Sequence, residues 1–379
     1  MTAPIAYLDH AATTPLRPEA LEAMLPFLTE QFGNPSGSHS VSRAARAAVD
    51  EARVAVAEAL GCDPGEVVFT GGGTEADNLA LAGVVGRRGG SVVCSAVEHH
   101  AVLHATAALG GRVVGVDGDG VVDLDALAAA LDHDVSVVSV MLANNEVGTV
   151  QPLAAVAEVM HRAAPGAVLH TDAVQAFAWL DVAALAAPAH LVAVSAHKFG
   201  GPKGVGALVV RAGTDVAPIL HGGGQERDRR SGTHNVAGIV GMAAAMRATV
   251  AGRQATNARV AVLRDRLADG LLAAVPGAVE TGRRAGRVAG SCHLRFPGVE
   301  SEALLVLLDD AGVCASAGSA CASGAIEPSH VLAAMGVPRH EALASLRLSL
   351  GVTTTPDEVD AALKVVPELV ARLRAAGGA

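Results

Sequence analysis

The chain has 379 residues, 51% hydrophobic but only 2% aromatic, and a formal charge of −10. An aliphatic, alanine-rich and acidic composition, with no basic patch or aromatic platform, argues against a nucleic-acid surface. The length suggests two or three domains, or one large α/β domain with a smaller companion. Met1-Thr2-Ala3-Pro4 lacks the charged and apolar regions of a signal peptide. No apolar run reaches the ~18 residues of a membrane span. Five cysteines without paired spacing suit a reducing compartment, so a cytoplasmic location is expected.

Residues 7–15 read as an extended entry that stops at Pro15, and 17–30 as a helix. Residues 32–39 are too rich in turn formers to be an element. A helix at about 42–60 follows from its apolar spacing. From Glu66 strands and helices alternate, with strands expected at 67–70, 91–96, 113–116, 135–142, 168–171, 191–195 and 206–211. This pattern implies an α/β fold with a mostly parallel, seven-stranded sheet covered by helices on both faces. A long helix at 236–272 then leads to shorter strands (292–296, 345–350) and helices (301–311, 356–375), a smaller α+β unit. The expected division is a large domain at 16–255 and a small domain made of 1–15 and 256–379. Ligands of such sheets bind outside the carboxyl ends of the strands. That places Gly71 to Thr74, Glu98-His99, Asn144-Asn145, Asp172 and Lys198 on one rim.

Lys198 follows the apolar run 191–194 in Ser195-Ala196-His197-Lys198. A lysine at a buried strand end costs free energy unless its charge is used or removed. Desolvation also lowers its pKa, which suits Schiff-base chemistry. Only three of the 28 Lys and Arg residues are lysines, and Lys198 and Lys203 are close neighbours. Lys198 is therefore a candidate carrier of pyridoxal phosphate (PLP), against the plainer reading of an ordinary turn lysine.

Other segments leave two readings open. Gly71-Gly72-Gly73-Thr74 is a phosphate cup built on backbone amides and a helix N-terminus, or a turn capped by Thr74. Asp172 pairs with a protonated pyridine nitrogen, or caps the next helix. Asn145 and Gln175 bond the cofactor's phenolate oxygen, or shape their loops. His99 stacks on the ring and relays a proton, or is a core histidine. His100 and His104 have the spacing of two metal ligands, but no third ligand stands out. The loop 222–233 supplies phosphate donors to a neighbouring subunit, or is a solvated basic loop. Arg347 in a strand meets a substrate carboxylate, or a structural ion pair. Cys94 and Cys292 read as core residues. Cys321, among the small residues 316–325, reads as an available thiol or an incidental loop cysteine.

In order, Tyr7-Leu8-Asp9, Ala12-Thr13-Thr14-Pro15, Gly33-Asn34-Pro35-Ser36, Thr70-Gly71, Thr74-Glu75-Ala76-Asp77-Asn78 and Glu98-His99 form a series. It continues with Asn144-Asn145-Glu146, Asp172-Ala173, Ser195-Ala196-His197-Lys198, His221-Gly222-Gly223-Gly224-Gln225-Glu226 and Arg230-Ser231-Gly232-Thr233. It ends with Ser316-Ala317-Gly318-Ser319-Ala320-Cys321 and Glu327-Pro328-Ser329-His330-Val331-Leu332. The series resembles the cysteine desulfurases of group I, in the class V aminotransferase branch of the fold-type I PLP enzymes. Gly72-Gly73 replaces a more usual Gly-Ala, and Ala196 stands where Gly is common; neither change removes a functional group.

The resemblance implies conversion of L-cysteine to L-alanine, with the sulfur passed to Cys321 as a persulfide. It makes Lys198 the covalent anchor of PLP, Asp172 the partner of the pyridine nitrogen, and Gln175 and His99 contacts of the ring. Gly73, Thr74, Ser195 and His197 would hold phosphate, with Thr233 reaching in from the second subunit of a homodimer. Asn145 and Arg347, helped by Asn34, would hold the substrate carboxylate. His99 would shuttle the proton. No resident metal is implied, although Cys321 could ligate a cluster transiently. Expected partners are sulfur acceptors, either a cluster scaffold or a tRNA-thiolation enzyme, with no direct nucleic acid and no membrane. The alternatives are a selenocysteine lyase or an aminotransferase on the same fold, or a non-enzymatic sulfur carrier.

Overall fold

The structure is a computed structural model and describes residues 5–318 and 327–377. Its strands are β1 (Ala6–Tyr7), β2 (Val67–Thr70), β3 (Ser91–Ser95), β4 (Arg112–Val114), β5 (Val135–Ser139) and β6 (Val168–Asp172). They continue as β7 (Leu191–Ser195), β8 (Gly206–Val210), β9 (Val279–Glu280), β10 (Ser291–Arg295), β11 (Val313–Cys314) and β12 (Ser345–Ser349). Seven of them form one sheet in the order β2-β8-β7-β6-β5-β3-β4. β3 to β7 pair in parallel, while β8 runs antiparallel to both of its neighbours. The expected mostly parallel seven-stranded α/β sheet is the one observed.

These strands are runs of Val, Leu and Ala buried on both faces, the pattern of a sheet covered on each side. On one face Val68, Val92, Val137, Leu191 and Leu208 pack with Leu79, Ala80 and Val84 of the helix Gly73–Arg88. On the other, Val67, Val93, Val138, Leu169, Val192 and Val209 join a larger core that includes Met242 and Met246 of the helix Val236–Ala274. The helix Gly73–Arg88 runs for 16 residues along this face. Its Gly83 admits the backbone of Ala217, whose oxygen would lie 2.8 Å from an added Cβ.

The long helix Val236–Ala274 is capped by Asn235, which accepts from Gly238 N at 3.0 Å. It leads to a three-stranded antiparallel sheet, β12-β10-β9. The entry segment is laced onto the same part of the molecule: β1 pairs with β11, and Ser349 N donates to Leu8 O at 2.7 Å. The helices His330–Ala334 and Arg339–Ala342 are too short for periodicity to mark. Val331 and Leu332 are held by Val97, Met141 and Val147 from the sheet's rim. Burying side chains of this size contributes about 1.5–3 kcal/mol each, enough to hold a five-residue helix. No helix among the described residues is long and apolar enough to cross a membrane.

Candidate active site

A cavity of about 360 Å³ opens at the carboxyl ends of the parallel strands, a volume typical of small-molecule sites. The turn after β2 brings Gly73 and Thr74, and β3 leads to His99. The loop after β5 brings Asn145. Asp172 ends β6 and Gln175 follows it. Ser195, His197 and Lys198 follow β7. Arg347 from β12, with Ser316 and Gly318, closes the cavity from the opposite side.

At the cup end, the helix Gly73–Arg88 begins at Gly72 with φ +152°, and no side chain caps it. Thr74 is therefore not spent as a cap, and the first-turn amides remain open to an anion. The backbone is closely packed: a Cβ on Gly206 would lie 2.8 Å from the Gly72 carbonyl carbon. Gly71 N donates to Glu75 Oε2 at 2.7 Å, and Arg230 Nε donates to Glu75 Oε1 at 2.7 Å. Part of the loop 222–233 thus braces the cup of its own chain. Glu226, Arg227 and Asp228 in that loop all have positive φ, 51°, 57° and 64°, a costly conformation for such residues. Glu226 holds it in place. Burial pushes its carboxyl up, but bonds from both Arg53 Nη atoms, His234 and Phe69 N outweigh this and bring it down to about 2.

In the floor of the cavity, burial and then the neighbouring Asp77 push Asp172 up to about 7, opposed by the Val174 amide, His170 and Lys198. Asp172 Oδ1 accepts from Val174 N at 2.8 Å, so the turn-capping role is present and leaves the carboxyl facing the cavity. Burial raises Asp77 to about 8 and lowers His170 to about 4. Asp77 Oδ1 and His170 Nε2 lie 3.5 Å apart and neither has a hydrogen-bond partner. Burial disfavours the charged form of both partners. Glu98 is also held well above its usual range by burial, although Met141 N donates to it.

Lys198 Nζ donates to the carbonyls of Ala11 and Ala12 at 2.5 and 3.0 Å. Burial, then Arg347, lowers it to about 8. His99 caps the helix His100–Ala108 by accepting from Ala101 N at 3.1 Å, and it also lines the cavity. Burial and then Lys198 lower it to about 4, so it is a neutral imidazole. The same two causes, in the same order, lower His197 to about 4. Gln175 Oε1 is buried without a partner.

On the opposite wall, Arg347 Nη2 donates to Asp9 Oδ1 at 2.8 Å and Nη1 to Asn145 O at 3.0 Å, while Nε is buried and unpartnered. The structural ion pair is therefore real, and it holds the guanidinium at the cavity. Glu146, buried and raised by that burial, accepts from Ser329 Oγ. It also lies against Gly318, whose added Cβ would meet Glu146 Oε2 at 3.0 Å.

Cys321 lies outside the described residues. Burial raises Cys62 to about 11, Cys94 and Cys292 to about 12, and Cys314 as well; none of the four lines the cavity. Asn34 and Thr233 are exposed and also lie outside the cavity. Among the described residues no group of three His, Cys, Asp or Glu side chains could hold a metal.

The residues fit PLP. The cup has an open helix N-terminus for phosphate, Gln175 Oε1 lacks a partner, and a buried carboxyl and a buried amine face one cavity. Sequence reasoning gave no role to Asp9, Glu75, Asp77 or Glu146. All four stand in the family motifs: Asp9 follows β1, Glu75 and Asp77 lie early in the helix Gly73–Arg88, and Glu146 lies in the loop after β5.

The aminotransferase class-V family model matches residues 6–362. A cysteine desulfurase of Cereibacter sphaeroides is 48% identical, over 97% of this chain and 96% of its own. An IscS-like cysteine desulfurase of Mycobacterium tuberculosis is 47% identical, over 98% of each. A solved NifS-like protein superposes with a TM-score of 0.91 at 36% identity, covering 97% of this chain and all of its own (100%). A structure of SspA in complex with cysteine superposes at 0.79 and 30% identity, over 92% of this chain and 99% of its own. Such family membership implies PLP as the cofactor. The chain belongs to the class V aminotransferase family, in its cysteine desulfurase branch.

Proposed function

We propose that this chain is a PLP-dependent cysteine desulfurase that moves the sulfur of L-cysteine onto Cys321 and releases L-alanine. The observation that carries this is the convergence of Lys198, Asp172, His99, Gln175 and the Gly73-Thr74 cup on one cavity, with Arg347 across from them. PLP bound there supplies an electron sink for charge developing at the substrate Cα. Gly73, Thr74, Ser195 and His197 hold its phosphate. Asp172 keeps its pyridine nitrogen protonated, and Gln175 Oε1 gains a partner.

Lys198 is the covalent anchor and the base. Its amine, lowered to about 8, is partly neutral near pH 7 and can take the Cα proton. His99, which lines the cavity and is held toward its neutral form by burial and then Lys198, would face the cofactor and could pass a proton. Arg347 and Asn145 orient the substrate carboxylate. Cys321 attacks the substrate sulfur as a thiolate: an S–S bond forms, the C–S bond breaks, and its electrons end on carbon, which is protonated to alanine. The four described thiols are all raised and away from the cavity, while the chain passes the cavity wall at Gly318, three residues before Cys321.

A second copy completes the site by lending Thr233. The exposed Leu21, Leu25 and Leu28 lie on one face of the helix Pro18–Thr29, with exposed Phe32 just beyond it, and suit such a partner. The persulfide then goes to a sulfur-acceptor protein, for cluster assembly or tRNA thiolation. The test is Cys321→Ala supplied with L-cysteine. The cofactor's absorbance should persist while alanine and protein persulfide both disappear. Desulfuration at the unaltered rate would refute the assignment.

A further inference from the structure

A second cavity, of about 40 Å³, shares Lys198, Asn145, Gln175 and Arg347 with the site but includes none of the cup residues. It extends instead to Arg17, Trp179, Arg253 and Thr256. Among the described residues four cationic side chains line it, Arg17, Lys198, Arg253 and Arg347, and no carboxylate does. Two of these are accounted for: Arg347 is paired with Asp9, and Lys198 belongs to the chemistry.

The other two are not. Arg253 makes no hydrogen bond; its Nε and Nη2 are buried without partners, and its guanidinium lies 5.3 Å from the centre of the Phe177 ring. Arg17 makes one side-chain bond, Nε to Phe199 O at 3.1 Å. It is also held in place, since Gly200 leaves the room that its side chain fills and a Cβ there would meet Arg17 Cγ at 2.5 Å. Phe177 and Phe199 pack together at 4.7 Å, tying the supports of the two arginines to each other. Glu19 and Asp181 act on these guanidinium groups, but neither lines the cavity. Both arginines are half-buried, and the buried, unpartnered guanidinium nitrogens of Arg253 are costly without an anion. One water needs about 10–15 Å³ of such volume, so a few waters or one small anion fit, and a free amino acid does not.

We propose that this cavity is a binding site for one small planar oxyanion, a carboxylate or bicarbonate, held by Arg253 and Arg17. Both arginines lie outside the cup and the ring contacts, so the site does not depend on the desulfurase reading. In the cofactor-free chain an anion there places negative charge beside Lys198, where the lining is otherwise cationic, and so favours its ammonium form.

The test uses the PLP-loaded protein, titrated in separate arms with carbon-13 acetate, carbon-13 bicarbonate and inorganic phosphate, and followed by nuclear magnetic resonance line width. Saturable binding of acetate or bicarbonate is expected, and whichever binds more tightly identifies the source. Arg253→Gln and Arg17→Gln should each weaken it roughly tenfold or more, as loss of a charge-assisted hydrogen bond does, with partial recovery in Arg253→Lys. Circular dichroism and melting confirm that each variant folds, and either glutamine variant alone suffices. An anion lost in Arg347→Lys but kept in Arg253→Gln occupies the substrate-carboxylate position and overturns the proposal. So does saturable binding of phosphate alone, or no saturable binding in any arm, which leaves water only.

Discussion

The floor of the cavity and the wall facing β12 are both buried, yet they carry opposite chemistry. The floor holds Asp172 and Asp77, with Glu98 buried near them, while the cations are Lys198 and, across the cavity, Arg347. Burial is the leading cause on both sides, and it drives the pKa values in opposite directions. It raises Asp172 to about 7 and Asp77 to about 8, and lowers Lys198 to about 8. Desolvation favours the neutral form of acid and base alike. A site built this way brings the titration of its acids and its amine close to physiological pH, so small changes in local charge set which groups ionise. The wall differs in carrying the Arg347 guanidinium, which Asp9 holds in place.

The largest test of this contrast removes the cavity's amine. Lys198→Ala should lower turnover by roughly 10⁴-fold, the upper range for a general base, and abolish the visible band of the anchored cofactor. Retained turnover with a normal spectrum would break the assignment. The floor is tested next. Asp172→Asn should lower kcat/KM by roughly 10²–10³-fold, as losing a preorganised charge does. Asp77→Asn should change it only a few-fold, because Asp77 at about 8 is already mostly neutral at pH 7. Equal losses in the two variants would mean that the floor acts as a single charged unit.

The smallest effect links the two regions. Arg347 is one of the causes lowering Lys198, so replacing it removes a repulsion that disfavours the ammonium. PLP uptake by the cofactor-free protein needs the free amine, so its rate should rise with pH through about 8. In Arg347→Met that profile should move to higher pH and leave uptake slower near pH 7. An unmoved profile would show that burial alone sets the amine.

Some of this was legible in the chain itself. The alternation from Glu66 to Val210 gave the sheet, because strands covered on both faces must be continuous apolar runs. The rim followed, because parallel strands aim their carboxyl ends one way. Arg347 was legible as a strand arginine in need of an anion. Its partner was not, because Asp9 is 338 positions away. The role of Glu146 was hidden for the same reason: Ser329, which donates to it, is 183 residues distant. The short helix His330–Ala334 has too few turns to show a period and is held only by contacts with the rim.

The sequence by itself therefore determined the α/β architecture, the place of Lys198 just after a strand and the motifs that carry the family, since these rest on local pattern and residue type. Only the tertiary structure decided which groups are charged. Burial that the folded chain alone creates makes Asp77 and His99 neutral, leaves Gln175 Oε1 unpartnered and gathers four cations around one small cavity. Desolvation depends on what packs around a group, and no stretch of sequence states that.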